Sequence, residues 1–263
     1  MELDDAYANG AYIAGADSYP PRWAAEAAAF RTALGARARI GLRYGAAERE
    51  VFDLFLPEGD AAGTVIFVHG GYWRAFDRSS WSHLAQGALA QGWAVAMPSY
   101  TLCPENTITG ITNQIAAAVT EVAAQTDGPL VLTGHSAGGH LVARMLAPGM
   151  LPARVAERVA RVVPISPLSD LEPLLKTSMN ADFGMDAAEA RAESPIHQPA
   201  PDVPVTVWVG GDERPAFLDQ ARWLAEAWDV SCHIEPGKHH FDVIDALADP
   251  ESALTRLLTG AVD

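Results

Sequence analysis

The feature that most constrains the fold is a set of short apolar runs without polar alternation, of which Thr64-Val65-Ile66-Phe67-Val68 is the clearest. A strand with one wet face alternates apolar and polar side chains; one without alternation has both faces covered. Strand-like segments fall at 38–44, 50–56, 64–68, 94–97, 130–132, 159–165, 205–209 and 231–235. Helix-like stretches at 81–91, 110–125, 138–145, 217–227 and 241–247 separate most of the later ones. This alternation predicts an α/β fold with a mostly parallel eight-stranded sheet flanked by helices. The first two strands lack an intervening helix and read as a hairpin at the sheet edge.

Two segments stand outside the rhythm. Residues 1–36 carry Tyr7, Tyr12, Tyr19, Trp23 and Phe30, with a helix expected over 23–34 after Pro20-Pro21. They read as an ordered N-terminal cover. Residues 167–203 hold no clean strand but several prolines, and read as a lid-like insertion over one end of the sheet. All 263 residues are expected to form one domain.

Composition removes several function classes. The formal charge of −15, from 18 basic and 33 acidic residues, argues against a nucleic-acid or anionic-membrane surface. No apolar run approaches the roughly 18–20 residues needed to span a bilayer. The start, Met1-Glu2-Leu3-Asp4-Asp5, lacks the basic and apolar regions of a secretion signal, so a cytoplasmic location is expected. Cys103 and Cys232 are far apart and suggest neither a zinc site nor a disulfide framework.

The chemistry is carried by Gly134-His135-Ser136-Ala137-Gly138, which follows Leu130-Val131-Leu132-Thr133 and opens a helix-like stretch. A G-x-S-x-G turn between strand and helix is so tight that small neighbours are needed, and it projects the serine hydroxyl above the sheet edge. The competing reading, a glycine-rich βα turn with an incidental serine, does not account for the apolar strand before it and the helix after it. Acyl transfer also needs donors aimed at the oxygen that becomes negative. His69-Gly70-Gly71-Tyr72-Trp73, after the strand 64–68, can supply them from Gly70, Gly71 or Tyr72, together with the N–H of Ala137. His69 reads as a loop-bracing residue. Tyr72 and Trp73 are the expected substrate-binding side chains, with pocket wall and packing both open for Trp73.

The base should follow the last strand. His239 and His240 do so after Pro236-Gly237-Lys238, and His240, directly before Phe241, is favoured. A third ligand at metal-site spacing is missing, so the pair does not imply a metal. The acid should follow the strand 205–209, where Asp212 and Glu213 are both admissible. Motif logic alone slightly prefers Asp212.

At these residues the chain resembles the α/β-hydrolase kynurenine formamidases (arylformamidases), through His69-Gly70-Gly71-Tyr72-Trp73, Gly134 to Leu141 and His240-Phe241-Asp242. The same loop occurs in carboxylesterases related to hormone-sensitive lipase. Anchoring on Phe217 and Gln220 places the family's acid on Glu213, with Asp212 as the alternative. The resemblance implies a serine hydrolase with Ser136, Glu213 and His240 as its triad, acting on a small ester or an aryl formamide such as N-formylkynurenine. No cofactor is implied, and the expected partner is a small acyl substrate; homodimerisation is left open. Hydrolysis of another acyl class, or a binding protein on the same fold, are the alternatives.

Overall fold

The computed structural model describes residues 1–260. Eight strands form one sheet in the order β1-β2-β4-β3-β5-β6-β7-β8: β1 Ala38–Arg43, β2 Val51–Phe55, β3 Thr64–Val68, β4 Ala94–Pro98, β5 Leu130–His135, β6 Val159–Ile165, β7 Thr206–Gly210 and β8 Ser231–Glu235. β2 runs antiparallel to both of its neighbours, β1 and β4. All pairs from β4 through β8 are parallel.

The apolar runs are buried for the reason their sequence gives. Along β3, Ile66 and Val68 enter one hydrophobic cluster while Val65 and Phe67 enter the other, so the two-residue period of a strand feeds both faces. Nine helical segments attend the sheet: α1 Tyr19–Leu34, α2 Gln86–Ala90, α3 Ile108–Gln125, α4 Ala137–Arg144, α5 Ala153–Ala156, α6 Asn180–Phe183, α7 Ala187–Glu193, α8 Pro215–Trp228 and α9 Ala253–Thr259, among the described residues and apart from 3₁₀ turns. None is long and apolar enough to cross a membrane. α1 puts Trp23 into the second cluster, whereas α3, α4 and α8 supply the first. Cys103 and Cys232 are free thiols.

Three local expectations need correction. α1 begins at Tyr19, before the prolines, because the first turn of a helix leaves its N–H groups unpaired and Pro20-Pro21 lose nothing there. The stretch 81–91 is a 3₁₀ turn, Ser82–Ala85, running into the short α2. The stretch 241–247 is not an α-helix. The main-chain N–H groups of Phe241 and Asp242 donate to His239 Nδ1, and that of His239 donates to Asp242 Oδ1 at 2.7 Å. Side chains thereby compete with the helical ladder, and a 3₁₀ turn, Asp245–Ala248, follows.

Register places the site. Val68 pairs with Gly134, so the loop leaving β3 and the turn leaving β5 lie side by side. Gly210 pairs with Glu235, which does the same for the loops leaving β7 and β8. All four loops open at the carboxyl ends of the strands, where open α/β sheets bind ligands.

Candidate active site

Ser136 sits between β5 and α4 with φ 58° and ψ −117°, a backbone conformation that costs a non-glycine residue of order 1–3 kcal/mol. Close approach dictates its neighbours. A Cβ on Gly138 would collide with Val68 O, and one on Gly134 with the Gly138 main chain. A Cβ on Gly70 would lie 2.7 Å from His135 O and 3.0 Å from Ser136 Cβ, so the β3 loop passes directly against the serine. Gly71 and Tyr72 of that loop line a cavity of about 580 Å³ together with Ser136 and His240. Ala137, fully buried, is the first residue of α4.

Glu213 and His240 meet across the neighbouring loops. His240 Nδ1 lies 2.6 Å from Glu213 Oε2. The other carboxylate oxygen accepts from the Gly210 N–H at 2.9 Å and from Ser166 Oγ. Both residues are buried, with no exposed side-chain surface on Glu213. The His240 ring is held between His135, centroids 4.5 Å apart, and Phe217, 4.3 Å apart. Asp212, next door, points to solvent, and its N–H donates to Lys238 O at 2.9 Å. The carboxylate that meets the imidazole is therefore that of Glu213.

His239, His69 and His140 are committed elsewhere. His239 Nε2 lies 3.0 Å from Tyr19 Oη, which turns the ring toward α1. His69 stacks on Tyr100 at 4.4 Å, and burial lowers its pKa to about 4, which suits a neutral loop brace. His140, also lowered to about 4 by burial, has Nε2 2.8 Å from the main-chain oxygen of Glu193. Burial, with His240 beside it, holds His135 well below the ordinary imidazole value.

Trp73 corrects the expected substrate-binding pair. It is fully buried at φ 54°, edge-on to His140 and Phe183, and does not line the cavity. Successive left-handed residues at Tyr72 and Trp73 turn the chain inward, leaving Tyr72 at the cavity and Trp73 in the core. The segment 167–203 is packed: Leu168, Leu171, Leu174, Phe183 and Met185 join the core, while Met179 and Asp182 reach the cavity.

Several site residues escaped the sequence reading. Ser166, at φ 48° just past β6, grips Glu213; its one signal is its place at the end of a buried strand. Arg74 and Asp182, 2.5 Å apart, line the cavity from segments 108 residues apart, and no local pattern links them. Tyr7 to Gly10 also line it.

Comparison with known proteins matches this picture. A family model described as the α/β hydrolase fold matches residues 65–229. A protein from Silicibacter sp. TM1040, provisionally assigned as a thioesterase, has a crystal structure 66% identical to this chain, with a TM-score of 0.98 over 99% of this chain and 100% of that one. Kynurenine formamidase from Danio rerio is 29% identical over 82% of this chain and 78% of its own length. The Drosophila melanogaster enzyme is 28% identical over 82% and 79%. Esterase B from Lactobacillus rhamnosis shares the fold, with a TM-score of 0.68 at 21% identity over 94% of both chains. The chain belongs to the α/β-hydrolase family.

Proposed function

We propose that this chain is a serine hydrolase that cleaves an aryl formamide or a small carboxylic ester through an acyl-enzyme on Ser136. The observation that carries the reading is the buried Glu213–His240 pair on a cavity that also holds Ser136. Ser136 Oγ attacks the carbonyl carbon while His240 Nε2 takes its proton. Glu213 holds the imidazole tautomer and stabilises the imidazolium. The N–H of Ala137 and those of the 70–72 loop meet the oxygen as it becomes negative, each donor worth about 2.7–4 kcal/mol. Collapse breaks the bond to the leaving alcohol or amine, which receives the proton from His240. Water, deprotonated by His240, then attacks the acyl carbon and releases the acid. These steps call on no cofactor.

The formamide reading draws on the kynurenine formamidases among the relatives and on the cavity walls. Tyr72, Phe76, Trp81 and Phe241 would enclose an aryl group. Arg74 and Asp182 would meet the α-carboxylate and α-ammonium of an amino acid such as N-formylkynurenine. The provisional thioesterase assignment of the Silicibacter protein favours a second reading, hydrolysis of a short acyl thioester. Comparing kcat/KM on N-formylkynurenine, phenyl acetate and acetyl-coenzyme A separates them. The formamide is expected to lead; a thioester preferred by tenfold or more would give the second reading the field.

A further inference from the structure

We infer that the N-terminal segment, through Tyr7, sets the size of substrate this active site accepts; the inference rests on the hydrolase reading above. Tyr7 is buried although it lies more than a hundred residues from the nucleophile in sequence. With Ala8, Asn9 and Gly10 it lines the cavity that holds Ser136 and His240. Its contacts reach the elements that build the site. Its main-chain oxygen accepts from Tyr72 Oη at 2.7 Å, tying it to the loop beside the nucleophile. Its ring packs edge-on to Phe217 at 6.0 Å, and Phe217 in turn packs on His240. Its hydroxyl accepts from Gln220 Nε2 at 3.0 Å, while Gln220 Oε1 accepts from the N–H groups of Ser169 and Asp170 in the 167–203 insertion, both at 2.7 Å.

The flanks are fastened as well. The Leu3 N–H donates to Lys176 O at 3.2 Å, Ser178 N–H to Asp4 Oδ1 at 2.6 Å, and Arg214 pairs with Asp5 at 2.9 Å. A surface cover without a role in the site would need none of the contacts to Tyr72, Phe217 and Gln220. As built, the segment closes one side of the cavity with a rigid ring, and a long acyl chain has to displace that ring to enter.

The test is the ratio of kcat/KM on p-nitrophenyl decanoate to that on p-nitrophenyl acetate. A decanoyl chain is flexible enough to follow an opened wall in either direction. Tyr7→Ala is expected to raise the ratio about tenfold or more, the scale on which an apolar pocket discriminates by size. Tyr7→Phe, which keeps the ring, is expected to return it to the wild-type value. Ala8→Leu, which narrows the cavity and leaves the Tyr7 contacts in place, is expected to lower it, and serves also if Tyr7→Ala does not fold. A structural role alone would lower both rates together and leave the ratio fixed. An unchanged ratio in the folded variants, with wild-type protein still labelled by a fluorophosphonate, overturns the inference alone. Absence of labelling in the wild-type protein overturns the hydrolase reading and this inference with it.

Discussion

The two halves of the candidate active-site cavity are built in different ways. On one side, Ser136, Glu213 and His240 hang from loops that leave the parallel strands β5, β7 and β8, so the sheet order brings them to one end of the sheet. On the other side, Tyr7, Arg74, Trp81 and Asp182 come from the N-terminal segment, the β3 loop, the position just before the Ser82–Ala85 3₁₀ turn and the insertion. The first half is dictated by short-range turn geometry: glycines where a Cβ would strike a neighbouring strand, and a serine held at positive φ. The second is dictated by tertiary packing among segments with no common sequence signal. In the proposed mechanism, chemistry is thus fixed by strand ends, and selection by what is laid over them.

The largest expected effect separates adjacent acids in the first half. Glu213→Gln should lower kcat by about 10⁴-fold, the scale seen when a triad acid becomes an amide. Asp212→Asn should stay within about twofold, because that side chain faces solvent. If Asp212→Asn alone is crippling, the acid assignment is wrong.

The next effect belongs to the second half. Arg74→Ala should lower kcat/KM for N-formylkynurenine by about tenfold or more while phenyl acetate, which has no carboxylate, changes little. Equal losses on both substrates would mean that Arg74 supports the fold of the cavity and does not select its contents.

Smaller again is Ser166→Ala. It removes one of the two donors to Glu213 Oε1 and leaves the Gly210 N–H in place. A fall in kcat of about tenfold is expected, the worth of a hydrogen bond to a charged group. Wild-type kcat in a folded Ser166→Ala protein would show that the Gly210 N–H suffices.

A last effect concerns stability and not rate. His69, His83 and His140 each have a folded pKa of about 4, lowered by burial from an ordinary 6.5. Between those values the unfolded chain binds protons that the folded chain does not, so stability falls as pH drops from about 6.5 toward about 4. Urea midpoints should decline steadily over this window, with these three imidazoles taking up about three protons on unfolding near pH 5 and His135, also held well below its ordinary value, adding to them. A midpoint that is flat from pH 7 to pH 5 would mean that these imidazoles are not neutral in the folded protein.

The same contrast explains what could be read from the sequence. The sheet was legible because Thr64–Val68 and its counterparts are apolar on both faces. Ser136 was legible because it stands between Gly134 and Gly138, glycines required where a Cβ would strike neighbouring main chain. Glu213 was less so: the residues themselves favoured Asp212, and resemblance through Phe217 and Gln220 reversed the choice. In the structure Phe217 packs on His240, and Gln220 joins the N-terminal segment to the insertion. The stretch after His240 looked helical because its apolar spacing is helical, but the side chains of His239 and Asp242 take its N–H groups. The sequence leaves Trp73 open between pocket wall and packing because the motif gives no account of the two left-handed residues that turn it inward. Tyr7, Arg74 and Asp182 had no local signature at all.

The most direct test of the central claim is the site of covalent capture. Wild-type protein is treated with a fluorophosphonate, digested and mapped by mass spectrometry, alongside Ser136→Ala. A serine activated by His240 predicts one stoichiometric adduct on Ser136, absent from the mutant. An unmodified Ser136, or labelling that survives Ser136→Ala, would contradict the account.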